Sequence, residues 1–382
     1  MGAQQQKQKP RHASPAGFFN NKAWWSAADL NRSPRQCECR ALPDELAPHN
    51  NLLHFTRGHT VSQVVTAYAR IENMHVDLSI FYSSLASIAL IIGLGWIAGK
   101  RGWIDEHTNK TLVNLLINVA WPCALLGAFP GEFKVEYLSS FLYGLGGGVV
   151  VLLTAIIVSR MLFPRRSNPK NYFEYQFAFI FNNASFLGFP LVNAIYGQAG
   201  LIPYAGFIVV FNLALFGYGV SLFRQEFHWK DLGKTLINPN VIAVVAGFLM
   251  FLFSFQLPTF IENSVNYTGS MMTPLSLIAI GYMLSRANLR LILKRRILVL
   301  TCLAQLILGP LITFVVLKLI GAPGDVIHIL VLIQALPTAT SLGLFAEKYR
   351  DDTGSASELV AISTILSAIT LPLVMWGIAS LI

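Results

Sequence analysis

Charged residues are scarce in this sequence, and their scarcity excludes most classes of soluble protein. Only 12% of the 382 residues are Asp, Glu, Lys or Arg, whereas 54% are hydrophobic. Soluble domains carry about 25% charged residues. We therefore expect an integral membrane protein with helices through the bilayer.

Several chemical motifs are also missing. The four cysteines are too few and too scattered for a disulfide framework. The sequence contains no G-x-x-x-x-G-K-[ST] motif, so ATP-driven pumping is not expected. The apolar runs contain no nucleophile–base pair and no metal-ligand cluster, so we expect neither an enzyme nor a bound cofactor. The net charge of +9 could suggest nucleic acid. However, the cations lie in short gaps between apolar runs, so no nucleic-acid partner is expected.

Apolar runs long enough to cross a bilayer, roughly 17 to 25 residues each, fill the chain after Met74. We predict an all-α integral membrane protein with ten transmembrane spans. Their approximate limits are 78–98, 111–129, 137–162, 173–196, 200–223, 239–257, 266–285, 296–319, 325–346 and 356–380. The boundary between the fourth and fifth spans rests on residues 197–203.

The distribution of Lys and Arg supports these ten spans. After Met74, all of them except Lys134 and Lys318 lie in loops that follow odd-numbered spans. Cytoplasmic loops carry the excess of cations. The sequence therefore predicts a multi-pass protein of the plasma (cytoplasmic) membrane with both termini outside the cytoplasm.

Residues 1–73 form a segment of different composition, rich in Gln, Asn, Pro, Ser and Arg and without the apolar core of a signal peptide. They are either a disordered tail or the product of a mis-assigned start. We favour a start at Met74, because the tail's nine Lys and Arg would otherwise be exported without a signal peptide.

Five spans on each side of a short linker suggest an internal duplication. We predict a first five-helix repeat at 74–224, a cytoplasmic linker at 225–238 and a second repeat at 239–382. Trp121-Pro122 is matched by Thr273-Pro274, and Asn182 by Gln334, at the same spacing. An odd number of spans per repeat makes the two repeats inverted relative to each other, as in many secondary transporters.

Two predicted spans are interrupted by polar and helix-breaking residues. The fourth contains Asn182, Asn183 and Pro190, and the ninth contains Gln334 and Pro337 followed by hydroxyl side chains at Thr338, Thr340 and Ser341. Irregular backbone survives at membrane depth only beside protein or a water-filled cavity. Interrupted spans in corresponding positions indicate a transporter's substrate site, so we predict that these residues line one.

Further polar or kinking residues lie in other spans. Asn118 and Pro122 give the second span a polar face and a kink, Asn212 lies in the fifth, and Ser276 follows Pro274 in the seventh. We include Asn118, Pro122, Asn212 and Ser276 among the candidate site residues. The alternative is that such residues, like Gln305, only form hydrogen bonds between helices.

These motifs resemble the auxin efflux carrier family of secondary transporters. The resemblance rests on the loop from Gly95 to Asp105, on Trp121-Pro122, on the run FNNASFLGFP at 181–190 and on ALPTATS at 335–341. It implies the ten-helix, inverted-repeat architecture of bile-acid/sodium symporters, with crossed broken helices four and nine. It also implies that Asn183 or Asn182 contacts substrate and that Pro190 and Pro337 are the crossover prolines.

The resemblance further implies transport of auxin or of a small carboxylate such as malonate or malate. Because the loop from Arg224 to Asn240 is short, the sequence favours a compact carrier of small organic anions. The expected partners are that anion and the lipid bilayer. A homodimer, and coupling to a sodium or a proton gradient, are left open. A membrane receptor or sensor for a similar acid, and a channel, are alternative functions.

Overall fold

The computed structural model of the protein describes residues 78–166, 171–226, 238–287, 295–350 and 354–379. All regular secondary structure in these ranges is helical. In the first half of the chain the α-helices are α1 (Leu78–Lys100), α2 (Glu106–Leu115), α3 (Trp121–Leu126), α4 (Val135–Leu162), α5 (Tyr172–Ile180), α6 (Phe189–Ala214) and α7 (Val220–Arg224). In the second half they are α8 (Pro239–Leu252), α9 (Thr259–Ser270), α10 (Met272–Arg286), α11 (Arg296–Leu303), α12 (Gly309–Leu319), α13 (Gly324–Gln334), α14 (Ser341–Arg350) and α15 (Gly354–Ala379).

Five helical segments among the described residues are long and apolar enough to cross a membrane, judged by length and composition. They are Phe81–Lys100, Val135–Leu162, Ala184–Arg224, Arg296–Leu319 and Ser355–Ile378. The apolar helices α8 and α13 are shorter. The prediction of a helical, multi-pass membrane protein is therefore confirmed, whereas the ten individual spans stay a prediction.

Interruptions explain part of the difference between the five long helices and the ten predicted spans. The predicted fourth span is divided between α5 and α6, and the predicted ninth between α13 and α14. The segment Ala184–Arg224 is helical over 41 residues, which exceeds the roughly 17 to 25 residues of one span. Gly197 interrupts it with a φ of +59°, in the region where the sequence places a span boundary.

Short π-helical turns precede three of the prolines. In each case the proline lies two residues after the end of the turn. The pairs are Leu116–Ala120 with Pro122, Ala184–Gly188 with Pro190, and Ala304–Leu308 with Pro310. A proline ring inside a helix clashes with the carbonyl of the preceding turn and offers no N–H to it. A wider turn at that point relieves the clash while the helix continues.

Glycines allow two pairs of helices to approach closely. A Cβ atom added at Gly281 of α10 would lie 2.1 Å from the carbonyl oxygen of Ile92 in α1. One added at Gly144 of α4 would lie 2.1 Å from the carbonyl oxygen of Pro203 in α6. Small residues at such contacts let helices pack by van der Waals attraction within lipid. In the glycine run that begins at Gly144, the packed positions are therefore Gly144, Gly147 and Gly148.

The contacts between helices follow a repeated scheme. In the first half of the chain α4 packs on α6, and in the second half α11 packs on α15. Across the halves, α1 packs on α10, and α3 packs on α8 and α9.

Aromatic rings fill the space beside both interrupted spans. The Phe177 ring of α5 lies 4.8 Å from that of Phe181, 5.6 Å from that of Phe223 and 5.7 Å from that of Phe345, measured between ring centroids. All four side chains are buried. Since Phe345 belongs to α14, this cluster fixes α14 against α5 and α7.

The predicted tail, 1–73, lies outside the described residues, as does most of the predicted linker, 225–238.

The glycine contact gives a paired prediction. Gly144→Ala should lower the thermal unfolding temperature in detergent, because overpacking costs typically about 1–3 kcal/mol. Gly146→Ala, two residues along the same helix, should leave that temperature unchanged or raise it. A Cβ atom at Gly146 meets nothing within 4 Å, and alanine is the better helix former. Equal melting temperatures for the two variants would contradict the tight α4–α6 contact.

Candidate functional site

The first interruption lies between the end of α5 at Ile180 and the π-helical turn that begins at Ala184. Asn183 has a φ of −79° and a ψ of 53°, outside the helical region. Its side-chain Oδ1 accepts a hydrogen bond from the Phe186 N–H at 3.3 Å. This is the role of an N-cap. Asn183 thus ends the break and begins the next helical segment.

The second interruption lies between Gln334 at the end of α13 and Ser341 at the start of α14. Pro337 lies within it and has no N–H to donate to a helical turn. The described residues of the two breaks, 181–183 and 335–340, include no charged side chain.

The two breaks pair with each other through their backbones. The Asn183 N–H donates to the Pro337 carbonyl at 2.6 Å, and the Ala339 N–H donates to the Phe181 carbonyl at 2.9 Å. Asn182 and Thr338 lie opposite each other as an antiparallel bridge. Polar backbone groups that neither helix can satisfy are therefore satisfied by the other break.

A side-chain pair reinforces this crossing. The Asn182 Nδ2 amide donates to Gln334 Oε1, and these residues are 2% and 3% exposed. The two positions that the proposed sequence duplication pairs are thus in direct contact.

Two residues outside the breaks hold the second one in place. Gln305, between α11 and α12, donates from Nε2 to the Leu336 carbonyl at 2.6 Å and accepts the Thr338 hydroxyl at 3.3 Å. Ser363 of α15 accepts the Thr338 N–H at 3.0 Å. For Gln305 the sequence indicated hydrogen bonds between helices, and its bonds to the second break are of that kind, whereas Ser363 was not among the predicted residues. Polar residues inside apolar runs were the signal for both, but that signal does not identify the partner.

Four helix ends approach the crossing. Helices α5 and α13 end at the crossing. Helix α14 begins there, and so does the π-helical turn that leads into α6. Helix N-termini carry partial positive charge and C-termini partial negative charge. Within the described residues, Asn182 Oδ1 and Ser341 Oγ are buried without a hydrogen-bond partner. The crossing therefore offers partial charges and polar atoms to a ligand.

Other predicted site residues bond within their own helices. Asn118 donates to the Asn114 carbonyl, Asn212 to the Ile208 carbonyl and Ser276 to the Thr273 carbonyl. In the part of the chain that is described, no hydrogen bond joins these three to the crossing. Pro122 and Pro190 each lie in the first turn of a helix, α3 and α6 respectively.

Two cavities lie at opposite ends of α10. The smaller, of about 270 Å³, is lined by Cys123 of α3, Gly127 directly after α3, Asn193 of α6, Asn266 of α9 and Thr273 of α10, among others. The larger, of about 440 Å³, is lined by residues at the other end of α10 and by Thr340 of the second break. Both cavities are therefore lined by a broken-helix segment together with α10.

The larger cavity contains the ionic groups. Glu106, Arg286 and Glu358 line it, and the Arg295 guanidinium pairs with the Glu358 carboxylate at 3.0 Å. Both signs of charge are present.

Comparisons with known proteins agree on transport. The family model described as "Membrane transport protein" matches residues 80–234 and 225–375. An uncharacterized transporter of Methanocaldococcus jannaschii is 23% identical over 307 residues, which cover 76% of this chain and 96% of that protein. A candidate malonate transporter of Rhizobium meliloti is 25% identical over 294 residues, covering 73% and 90%. A probable auxin efflux carrier component of Oryza sativa subsp. japonica is 25% identical over 138 residues, covering 35% and 37%.

The support for the second break is testable by substitution. Gln305→Leu should lower the thermal unfolding temperature in detergent, because it leaves the Leu336 carbonyl and the Thr338 hydroxyl without their partner. Each buried unsatisfied group costs roughly 1–3 kcal/mol. Asn212→Leu is the matched control, since it removes only a bond within one helix, and its melting temperature should stay close to wild type. If Gln305→Leu were no less stable than Asn212→Leu, the bracing role would be wrong.

Proposed function

Since the chain belongs to the membrane transport protein family that includes the auxin efflux carriers, we propose that it is a secondary active transporter of a small organic anion. The observation that carries the proposal is the pairing of two interrupted helices at an uncharged, polar crossing. Discontinuous helices of this kind form the substrate sites of secondary transporters. Malonate- or malate-type carboxylates are the proposed substrates, and an auxin-like acid is the alternative.

The proposal includes ten spans in two inverted five-helix repeats. Helices α1, α3, α8 and α10 lie in spans one, two, six and seven. If each span is replaced by its counterpart in the other repeat, one by six and seven by two, the contact between α1 and α10 becomes the contact between α8 and α3, which is also observed. Helix α4 lies in span three and the second part of α6 in span five; their counterparts, spans eight and ten, contain α11 and α15. The contact between α4 and α6 in the first repeat therefore corresponds to the contact between α11 and α15 in the second. The contact scheme therefore supports inverted repeats, with both termini outside the cytoplasm as the loop charges favour.

The proposal includes alternating access, which the position of the cavities supports. Spans one, two, six and seven contact one another, and the broken helices pack with the remaining spans. We place the moving boundary between these groups, because each cavity is lined by residues from both. Movement of one group against the other would open the crossing to one side at a time.

Asn183 is the proposed substrate contact. Its Oδ1 is engaged by the Phe186 N–H, whereas its Nδ2 has no acceptor in the part of the chain that the structure describes. An amide N–H together with nearby helix N-termini suits a carboxylate. The lack of a cation at the crossing favours moderate affinity, which permits release as well as binding.

A transport assay tests the function. Reconstituted wild-type protein should exchange external radiolabelled malonate for internal unlabelled malonate, with a rate that saturates. A receptor would bind malonate without exchange, and a channel would give currents without saturation at low millimolar concentrations. Absence of exchange with every carboxylate and indole acid tested would overturn the proposal. Imposed sodium and proton gradients, applied separately, would identify the coupling ion.

Asn183→Ala should lower exchange by about ten- to a hundredfold, because a hydrogen bond to a charged group contributes about 1.5–3 kcal/mol. Asn263→Ala, at an exposed position of α9, should exchange at the wild-type rate. Size-exclusion profiles in detergent would show that both variants are folded. Unchanged exchange by Asn183→Ala would refute the assigned contact without refuting transport.

A further inference from the structure

The smaller cavity has two walls that carry amides. Asn193 belongs to α6, the segment that continues the first broken helix, and Asn266 belongs to α9. Both residues are exposed, and among the described residues neither side chain has a hydrogen-bond partner, so both amides are accessible to a ligand. Under the proposed mechanism, one belongs to the group of helices that contains the crossing and the other to the opposing group.

The remaining lining favours an elongated ligand with polar ends. The described lining contains no charged side chain. Phe189, Leu201 and Val265 provide apolar surface, while the Thr273 hydroxyl provides a further polar group. A short chain with a carboxylate at each end would place its methylene carbons on the apolar surface and its oxygen atoms at the amide N–H groups.

Size restricts the ligand further. The cavity volume of about 270 Å³ is below the range of about 300–1,000 Å³ that holds drug-sized ligands. A Cβ atom at Gly127 would lie 3.0 Å from Asn266 Oδ1, so there is little spare room between Gly127 and that amide. The cavity therefore suits a small ligand. A short diacid matches it better than a bicyclic monocarboxylic acid, because only the diacid presents a carboxylate to each of the two amides.

We propose that the smaller cavity is a binding site for a short dicarboxylic acid, separate from the crossing, in which Asn193 and Asn266 each donate to one carboxylate. Such a ligand joins α6 to α9. Release from this site would then be needed before the two groups of helices move apart. The position of the site in transport rests on the proposed function, whereas binding itself does not.

Cys123 provides a direct measurement, because its half-buried thiol lines the same cavity. Full-length protein in detergent is treated with a small thiol-specific reagent, and peptide mapping follows labelling at Cys123 alone. Malonate at ten times its Kd should slow that labelling about tenfold, since the unoccupied fraction falls in proportion. Propionate, which has the same number of carbons and one carboxylate, and indole-3-acetate should each slow it less than twofold at the same concentration.

Variants test the two amides. Asn193→Leu and Asn266→Leu should each abolish protection by malonate while Cys123 remains reactive, and Asn263→Leu on the same helix should keep it. Three results would overturn the proposal. They are a wild-type Cys123 that reacts but is not protected by malonate, equal protection by propionate, and protection by malonate that is retained in both amide variants. Protection without malonate exchange in vesicles would instead refute transport and retain the site. Malonate exchange in vesicles without protection of Cys123 would refute the site and retain transport.

Discussion

The requirement that buried backbone polar groups be satisfied governs this structure. Two helices stop among buried residues, and each leaves N–H and carbonyl groups that neither lipid nor apolar side chains can satisfy. The hydrogen bonds between Asn183 and Pro337 and between Ala339 and Phe181 meet this requirement in both directions. Because each break supplies the partner of the other, neither interruption is stable alone. The crossing is therefore a cooperative unit, and its polar side chains are positioned by backbone pairing.

Under the proposed mechanism, the supports of the crossing determine which parts of the protein would move together. Gln305 and Ser363 bind the second break to the helices on either side of it, and the Tyr204 hydroxyl donates to the Ala184 carbonyl beside the first. All three belong to spans assigned to the same group of helices. Loss of these bonds during transport would leave buried polar groups unsatisfied, at about 1–3 kcal/mol each. Movement as one body avoids that cost.

The sequence was sufficient to predict the breaks, but it did not predict their supports. Proline, glycine and adjacent amides inside an apolar run indicate an interruption wherever the chain folds, because their effect on the helix is local. The partner of a polar side chain is not local. Asn212 and Gln305 are both amides within apolar runs, yet Asn212 bonds to its own helix and Gln305 bonds across to another break. Asn193 and Asn266 are likewise candidate ligand contacts only because they line the same cavity, which the sequence does not show.

The absence of charged side chains from residues 181–183 and 335–340 bears on how such a site can release what it binds. A buried cation would hold an anion tightly, and without the anion it would remain as an unpaired charge whose burial is costly. Amides and helix ends impose a much smaller penalty when empty, since their partial charges are satisfied in part by the pairing of the two breaks. Under the proposed mechanism, a crossing of this kind would therefore change its exposure with or without a ligand. Directional transport would then require a second event to suppress the unproductive movement, and the binding of a coupling ion or occupation of the smaller cavity could each provide it.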